Sequence, residues 1–195
     1  MNKKSFSLLM VAATLALTAN AQGKYTIKGE LQNAEGQKIY LSKGEFGNIE
    51  TDSTVITNGK FTFKGEIDGL FQNASLLMGN PMDYRNAKSW QVAIEPLTIY
   101  VSGDASKQDG VTVKGGKVQD ELNRMNKEME IFEKPFRKLN DAYYAQQTTE
   151  GRDSVSKLME PYRKQYAQYT QNYMKTHTDS YFASQYLSMD MGNMA

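Results

Sequence analysis

STVITNGKFTFKGEI, residues 53–67, carries the strongest local signal in the sequence. Asn58-Gly59 separates two runs that are rich in β-branched and aromatic residues. A two-residue type I′ turn favours this pair, because both of its central residues need positive φ. Phe61, Phe63 and Ile67 then alternate with polar residues, so one side of the second run is apolar. The stretch predicts a β-hairpin with one buried face.

The same period of two occurs in runs on both sides of this stretch. Turn residues separate these runs, with no helical segment between them, and Pro96 predicts a turn or an edge because proline cannot donate to a sheet ladder. This organisation predicts an antiparallel sandwich or barrel of seven or eight strands rather than a parallel α/β sheet. The runs are KYTIKGEL (24–31), QKIYLSK (37–43), ASLLMG (74–79), WQVAIE (90–95), LTIYVSG (97–103) and VTVKG (111–115).

The hydrophobic period changes at Gly115-Gly116. Apolar residues then recur at alternating steps of four and three, first from Val118 to Tyr143 and again from Val155 to Tyr173. Two seams of similar length, joined by a polar connection, predict an antiparallel helical hairpin. Pro135 and Pro161 lie within the seams and predict a kink or a break in each helix.

The predicted fold is therefore α+β. An N-terminal antiparallel β-sandwich or barrel of seven or eight strands precedes an antiparallel helical hairpin and a short third helix, for which Ser180 is the expected N-cap. The predicted organisation is a signal peptide at 1–21, a β-sandwich domain at 22–114, and a helical hairpin with a C-terminal helix stub at 115–195.

The second seam is rich in tyrosine, at Tyr162, Tyr166, Tyr169 and Tyr173. A buried tyrosine ring leaves a hydroxyl that needs water or a hydrogen-bond partner. Two interpretations remain open. The rings pack on the first helix with their hydroxyls at its edge, or the row is a face for a partner or for another part of the chain.

The N-terminus has the features of a secretory signal peptide. Lys3 and Lys4 precede the apolar run SFSLLMVAATLAL, which is shorter than the roughly 20 residues of a membrane span. The small residues of Ala19-Asn20-Ala21 predict cleavage between Ala21 and Gln22. Removing the two lysines leaves 21 basic and 22 acidic side chains, a formal charge of −1 that disfavours a nucleic-acid partner. No transmembrane segment is expected after cleavage.

The chain offers few residues for catalysis. It has no cysteine and one histidine, His177, which excludes thiol chemistry and the usual zinc ligand sets. We expect His177 to cap a helix or lie at the surface. No catalytic, cofactor-binding or metal-ligating constellation is predicted, and the chain is expected not to be an enzyme. The carboxylates at the start of the first helix are interpreted as its solvated face: Asp120, Glu121, Glu128, Glu130 and Glu133.

The loop MGNPMDYRNAKSW (78–90) is a predicted contact loop. Tyr84, Arg85 and Trp90 are residue types that anchor interfaces, and Met82 lies beside them. The alternative is a turn whose methionine and tryptophan pack into the sandwich core.

Taken together, YTIKGEL, GQKIYL, DSTVITNGKFTFKGEI and VTVKGG resemble an N-terminal β-domain of unknown function. That domain precedes periplasmic thioredoxin-fold proteins of the TlpA/ResA-like and AhpC/TSA-like types. The resemblance covers residues 24–113, and the helical segment is similar to the linker in those proteins. It implies an exported protein of the periplasm or cell envelope of a Gram-negative bacterium. The Cys-x-x-Cys pair of the redox domain is absent, so no catalytic residue is carried over.

The resemblance also implies a modification. Such bacteria can attach O-glycans to exported proteins at Asp-Ser or Asp-Thr followed by a small or aliphatic residue. DST (52–54) and DSV (153–155) fit this pattern, which predicts glycosylation at Ser53 and Ser154.

Three functional hypotheses follow. The favoured one is an exported, non-catalytic accessory or binding module whose partner is an unidentified protein, such as a thioredoxin-like redox domain. Oligomerisation through the exposed helices is compatible with it. The second is a truncated or split thiol–disulfide oxidoreductase that lacks its catalytic domain. The third, which depends on fold analogy alone, is a carbohydrate- or protein-binding sandwich.

Overall fold

The computed structural model describes residues 22–45, 48–79, 87–107 and 109–183. The chain divides into two compact units between Asp120 and Glu121. The described residues form eight strands and two long helices, which confirms the predicted α+β class. None of the described helices is both long enough and apolar enough to cross a membrane.

The first unit consists of two four-stranded sheets, ordered β4-β1-β7-β8 and β3-β2-β5-β6. Both sheets contribute to one apolar core, for example through Ile27 and Phe63 from the first and Ile39 and Leu76 from the second. The strands are β1 (Gln22–Gln32), β2 (Lys38–Glu45), β3 (Asn48–Val55), β4 (Lys60–Asp68), β5 (Gln72–Met78), β6 (Lys88–Ile94), β7 (Thr98–Asp104) and β8 (Val111–Lys114).

One strand pair departs from the expected antiparallel arrangement. β1 and β7 are parallel, whereas the other pairs in both sheets are antiparallel. β6 and β7 lie in different sheets, so the chain changes sheet in the short connection that contains Pro96. There the Leu97 amide donates to the Glu95 carbonyl at 2.7 Å. The predicted turn at Pro96 is confirmed, and this crossing brings β7 alongside β1 in the parallel sense.

The turn at Asn58-Gly59 forms as predicted, but the hairpin does not. Both residues have positive φ, 53° and 72°, and a single bridge between Thr57 and Lys60 closes the turn. Beyond it, β3 pairs with β2, and β4 pairs with β1 in the other sheet. Because Ile56 is fully buried, the chain enters the core between β3 and β4 instead of continuing one ladder.

A carboxylate holds this turn from outside. Glu35 accepts hydrogen bonds from the amides of Asn58, at 3.1 Å, and Gly59, at 2.8 Å. The Gly59 carbonyl accepts from the Leu31 amide at 2.7 Å. The turn is therefore anchored to the chain that follows β1.

The two helices are α1 (Lys117–Ala145) and α2 (Thr149–Thr176). Gly115 and Gly116 have φ of 127° and 89°, which confirms them as the joint before α1. Both helices continue through their prolines, Pro135 and Pro161, so the predicted breaks are wrong. Each proline lacks an amide for one helical hydrogen bond, and the rest of the helix tolerates this loss.

The first turn of α1 is fastened within the first unit. The Val118 amide donates to Glu95 at 3.0 Å. The Gln119 side-chain oxygen, which is buried, accepts from the Ala93 amide at 2.8 Å. The Glu95 carboxylate thus satisfies the Val118 amide, which has no partner within the helix, and Gln119 ties the helix start to β6.

A short helical segment follows α2 at residues 181–183. The Ser180 hydroxyl accepts from the Ala183 amide at 3.1 Å, so Ser180 is the predicted N-cap. Residues 184–195, which complete the predicted stub, lie outside the described residues.

Candidate functional site

The four seam tyrosines form a row along α2, here called the tyrosine row (Tyr162, Tyr166, Tyr169, Tyr173). Phe132 of α1 lies at its middle, with ring centroids 6.2 Å from Tyr166 and 5.9 Å from Tyr169. Farther along, Tyr173 contacts Glu121 and Arg163 lies near Phe136. Contacts from late α2 to early α1, and from early α2 to late α1, confirm the antiparallel hairpin.

The C-terminal half of the row is closed by carboxylates of α1. The Tyr169 hydroxyl donates to Glu128 at 2.8 Å. The Tyr173 hydroxyl donates to Glu121, and its residue is only 2% exposed. The two rings lie 5.8 Å apart between centroids. Tyr173 is buried and Tyr169 is half-buried, and both hydroxyls have acceptors, which indicates a structural contact.

Glu121 also receives the hydroxyl of Ser180. One carboxylate oxygen therefore joins the start of α1, the end of α2 and the N-cap of the next helical segment. The interpretation of Glu121 as a solvated residue is wrong, because its carboxylate accepts the hydroxyls of Tyr173 and Ser180. Glu128 is exposed as predicted, although it also accepts the hydroxyl of Tyr169. The position of these two glutamates directly before the seam residues Leu122 and Met129 was the available sequence signal.

This environment changes two pKa values. Burial, with the hydrogen bond to Glu121 as the second cause, raises the pKa of Tyr173 above its usual 10.0. A side-chain hydrogen bond with Tyr173 raises the pKa of Arg124. The phenol and the guanidinium are protonated at neutral pH in any case, and both shifts extend this state to higher pH.

His177 ends α2, as predicted for a capping residue. Its backbone amide donates to the Tyr173 carbonyl at 2.9 Å. Its ring stacks on that of Tyr173, with centroids 4.1 Å apart and planes 6° from parallel. The histidine thus covers the last ring of the tyrosine row.

The N-terminal half of the row is open. Among the described residues, no hydrogen-bond partner reaches the hydroxyl of Tyr162 or Tyr166, and Tyr166 is 42% exposed. Beside these rings lies a concave surface of about 460 Å³, here called the aromatic groove. Its lining residues are Phe132, Glu133, Phe136, Arg137, Tyr162, Arg163 and Tyr166.

Two arginines and one glutamate line the aromatic groove, so its lining carries a net charge of one positive unit, two minus one. The Arg163 guanidinium lies 6.0 Å from the ring centroid of Phe136 and 3.7 Å from the Glu160 carboxylate. Arg137 is in no ion pair with the described residues. The apolar rings can bury an apolar group of a ligand, and the neighbouring guanidinium groups can pair with an acid next to that group.

The remaining predicted site residues lie elsewhere. Ala21 and the loop residues Met82, Tyr84 and Arg85 are outside the described residues, and Gln22 begins β1. Trp90 is 8% exposed in the sandwich core. For Trp90 the contact-loop prediction is wrong and the core alternative holds, because its position on β6 faces inward with Val92 and Ile94.

The two predicted glycosylation sites are exposed. Ser53 lies on β3, an edge strand of its sheet. Ser154 lies in α2 and donates its hydroxyl to the Glu150 carbonyl at 2.8 Å. Within the described ranges no three Asp, Glu or His side chains are grouped as metal ligands.

These features define an α+β protein with a two-sheet unit and a tyrosine-rich helical hairpin. The family model described as Domain of unknown function (DUF4369) matches residues 25–122, half of the chain. The chain belongs to this family. No curated protein matches the sequence.

One solved structure, the cytotoxin suilysin from Streptococcus suis, shows a weak likeness. It is 9% identical, covers 49% of this chain and 24% of its own, and has a TM-score of 0.27. The matched part is less than two thirds of the suilysin chain. A likeness of this size carries no inference about this protein.

Proposed function

We propose that this chain is an exported, non-catalytic module that binds a protein partner in its aromatic groove. The observation that carries the proposal is the open half of the tyrosine row. Tyr162 and Tyr166 have no hydrogen-bond partner among the described residues, and they line a groove of about 460 Å³. A bound partner would cover these rings and supply acceptors for their hydroxyls.

The composition of the groove supports a protein as the ligand. Tyrosine and arginine are enriched among the residues that dominate protein–protein affinity, and they act best in concave, apolar sites. The groove offers both types beside Phe132 and Phe136. An apolar side chain of the partner would enter between the rings, and an adjacent acid would pair with Arg137 or Arg163.

The proposed partner is a thioredoxin-fold redox domain. The resemblance of residues 24–113 to domains that precede such proteins supports this choice. The chain has no cysteine, so it cannot exchange thiols or disulfides itself. Its contribution would be to hold or position a partner that does.

Export is part of the proposal and is supported by the N-terminal sequence. Cleavage after Ala21 would leave the whole of β1, which begins at Gln22, in the mature chain. N-terminal sequencing of the protein from the periplasmic fraction should begin at Gln22. A full-length chain in the cytoplasmic fraction would contradict export without affecting the groove.

Calorimetric titration with a purified periplasmic thioredoxin-fold domain from the same organism tests the binding. Tyr166→Ala should weaken binding about tenfold, as expected for an interface tyrosine. Leu158→Ala is the matched control, because Leu158 is 59% exposed on the same helix and outside the groove lining. It should bind like the wild type.

The outcomes separate the parts of the proposal. An absence of wild-type binding would reject the redox-domain partner. Binding that Tyr166→Ala leaves unchanged would reject the groove as the site. In an insulin-reduction assay the chain alone should show no turnover, and measurable turnover would contradict the non-catalytic assignment.

A further inference from the structure

The outer face of the β4-β1-β7-β8 sheet carries an exposed tyrosine in a polar row. In the strand register Lys28 lies opposite Thr62 on one side and Tyr100 on the other, and Tyr100 lies opposite Lys114. Neighbouring strands are about 4.8 Å apart, so this row crosses about 15 Å of the sheet. Tyr100 is 55% exposed, so its ring is available to a ligand.

Four lysines surround Tyr100, and none of them forms an ion pair with the described residues. The adjacent rows place Lys64 opposite Thr26 and Lys60 opposite Glu30. With the described residues, none of Lys28, Lys60, Lys64 and Lys114 forms an ion pair. These four lysines and Tyr100 are here called the basic face.

Most carboxylates of this sheet face lie away from Tyr100. Glu66 is 3.9 Å from Lys24, and Asp104 is 3.4 Å from Lys107. Asp68 lies opposite Gln22 at the far end of the strand pair. Glu30 is therefore the acid nearest the centre, and the three rows around Tyr100 carry a net positive charge.

We propose that the basic face binds an acidic polysaccharide, a chain of sugars that bear carboxylates. The ring of Tyr100 offers a flat apolar surface to the C–H face of a sugar. Lys28 and Lys114, on either side, would pair with carboxylates of the same or neighbouring sugars. Threonine hydroxyls in these rows can exchange hydrogen bonds with sugar hydroxyls. The proposal is independent of the aromatic groove.

Charge and residue type favour this ligand over other polyanions. Proteins that bind single-stranded nucleic acid stack successive bases on several aromatic rings and use arginine. The described strands of this face carry one large exposed aromatic residue, Tyr100, and no arginine. Binding in a membrane surface needs a continuous apolar face, whereas Tyr100 is set among lysines and threonines.

Affinity electrophoresis of the full mature chain in gels containing polygalacturonate tests the proposal, with neutral dextran gels as reference. Polygalacturonate should retard the wild type, and salt should weaken the retardation. Tyr100→Ser and the double variant Lys28→Gln/Lys114→Gln should each weaken binding about tenfold. Lys24→Gln is the matched control on the same face, since Lys24 already contacts Glu66. It should change binding by less than about twofold.

Thermal unfolding of each variant checks that the exposed substitutions leave the fold intact. Four results would overturn the proposal: no retardation of the wild type by polygalacturonate, equal retardation by dextran, full binding by both variants, or tighter binding to polyphosphate or phosphatidylglycerol vesicles than to polygalacturonate. The last result would indicate unspecific attraction of anions.

Discussion

The two halves of the tyrosine row differ although their spacing and residue type are the same. Tyr169 and Tyr173 donate to carboxylates of α1, whereas the hydroxyls of Tyr162 and Tyr166 have no partner among the described residues. The difference arises on the opposite helix, where the glutamates Glu121 and Glu128 give way to Phe132 and Phe136. A tyrosine in a helical seam is therefore structural or available to a ligand according to what faces its hydroxyl.

The largest expected effect of a substitution is in the closed half. Tyr173→Ala removes a ring that is 2% exposed and should lower the free energy of unfolding by about 3–5 kcal/mol. Tyr166→Ala should cost much less, because that ring is 42% exposed. Urea unfolding of both variants measures the contrast. Equal losses would show that the two halves are packed alike.

A smaller loss is expected from Glu121→Ala. This change leaves the hydroxyls of Tyr173 and Ser180 without their acceptor and should destabilise the chain by about 1–3 kcal/mol. Glu130→Ala is the control, because Glu130 pairs only at the surface with Lys134 and should cost less than about 1 kcal/mol. If both variants unfold at the same urea concentration, the hydrogen bonds of Glu121 to Tyr173 and Ser180 do not stabilise the fold.

Removing single hydroxyls compares the hydrogen bonds of the two halves of the tyrosine row without removing a ring. Tyr169→Phe loses the hydrogen bond to Glu128 and should cost about 0.5–1.5 kcal/mol. Tyr162→Phe removes a hydroxyl with no described partner and should leave the unfolding midpoint almost unchanged. A loss in Tyr162→Phe as large as that in Tyr169→Phe would contradict the open half.

The smallest expected effect concerns alkaline pH. The folded chain raises the pKa of Tyr173 above its usual 10.0. The resulting stabilisation is complete below pH 10 and is lost as pH rises through the folded pKa. Tyr173→Phe should therefore lose less stability than the wild type in this range. Denaturant titrations at several pH values measure both slopes, and parallel slopes for Tyr173→Phe and the wild type would contradict the prediction.

Local patterns in the sequence predicted where the strands and turns lie better than which strands pair with each other. The alternation of Phe61 and Phe63 identified β4, and Asn58-Gly59 identified its turn. The pairing of β4 with β1 was not predictable from that stretch, because it depends on the burial of Ile56 and on contacts with distant strands. Spacing predicts local backbone geometry, while strand order is decided by how the whole core closes.

The helical hairpin shows the same limit for side chains. The steps of four and three predicted the seams and the tyrosine row. They could not distinguish Glu121, which accepts two hydroxyls, from Glu130, which forms a surface pair. That distinction depends on the rotation of α1 relative to α2, and the flanking position of Glu121 beside Leu122 was the only indication of it.

The hold of Glu35 on the Asn58-Gly59 turn bears on the chemical lifetime of the protein. Asparagine followed by glycine is prone to deamidation, in which the glycine amide nitrogen attacks the asparagine side-chain carbonyl and releases ammonia through a cyclic imide. Here the Gly59 amide hydrogen is held by Glu35 at 2.8 Å, and the turn conformation is fixed. We therefore expect the native fold to slow deamidation at this turn, and Glu35→Ala to increase the conversion of Asn58 into aspartate and isoaspartate.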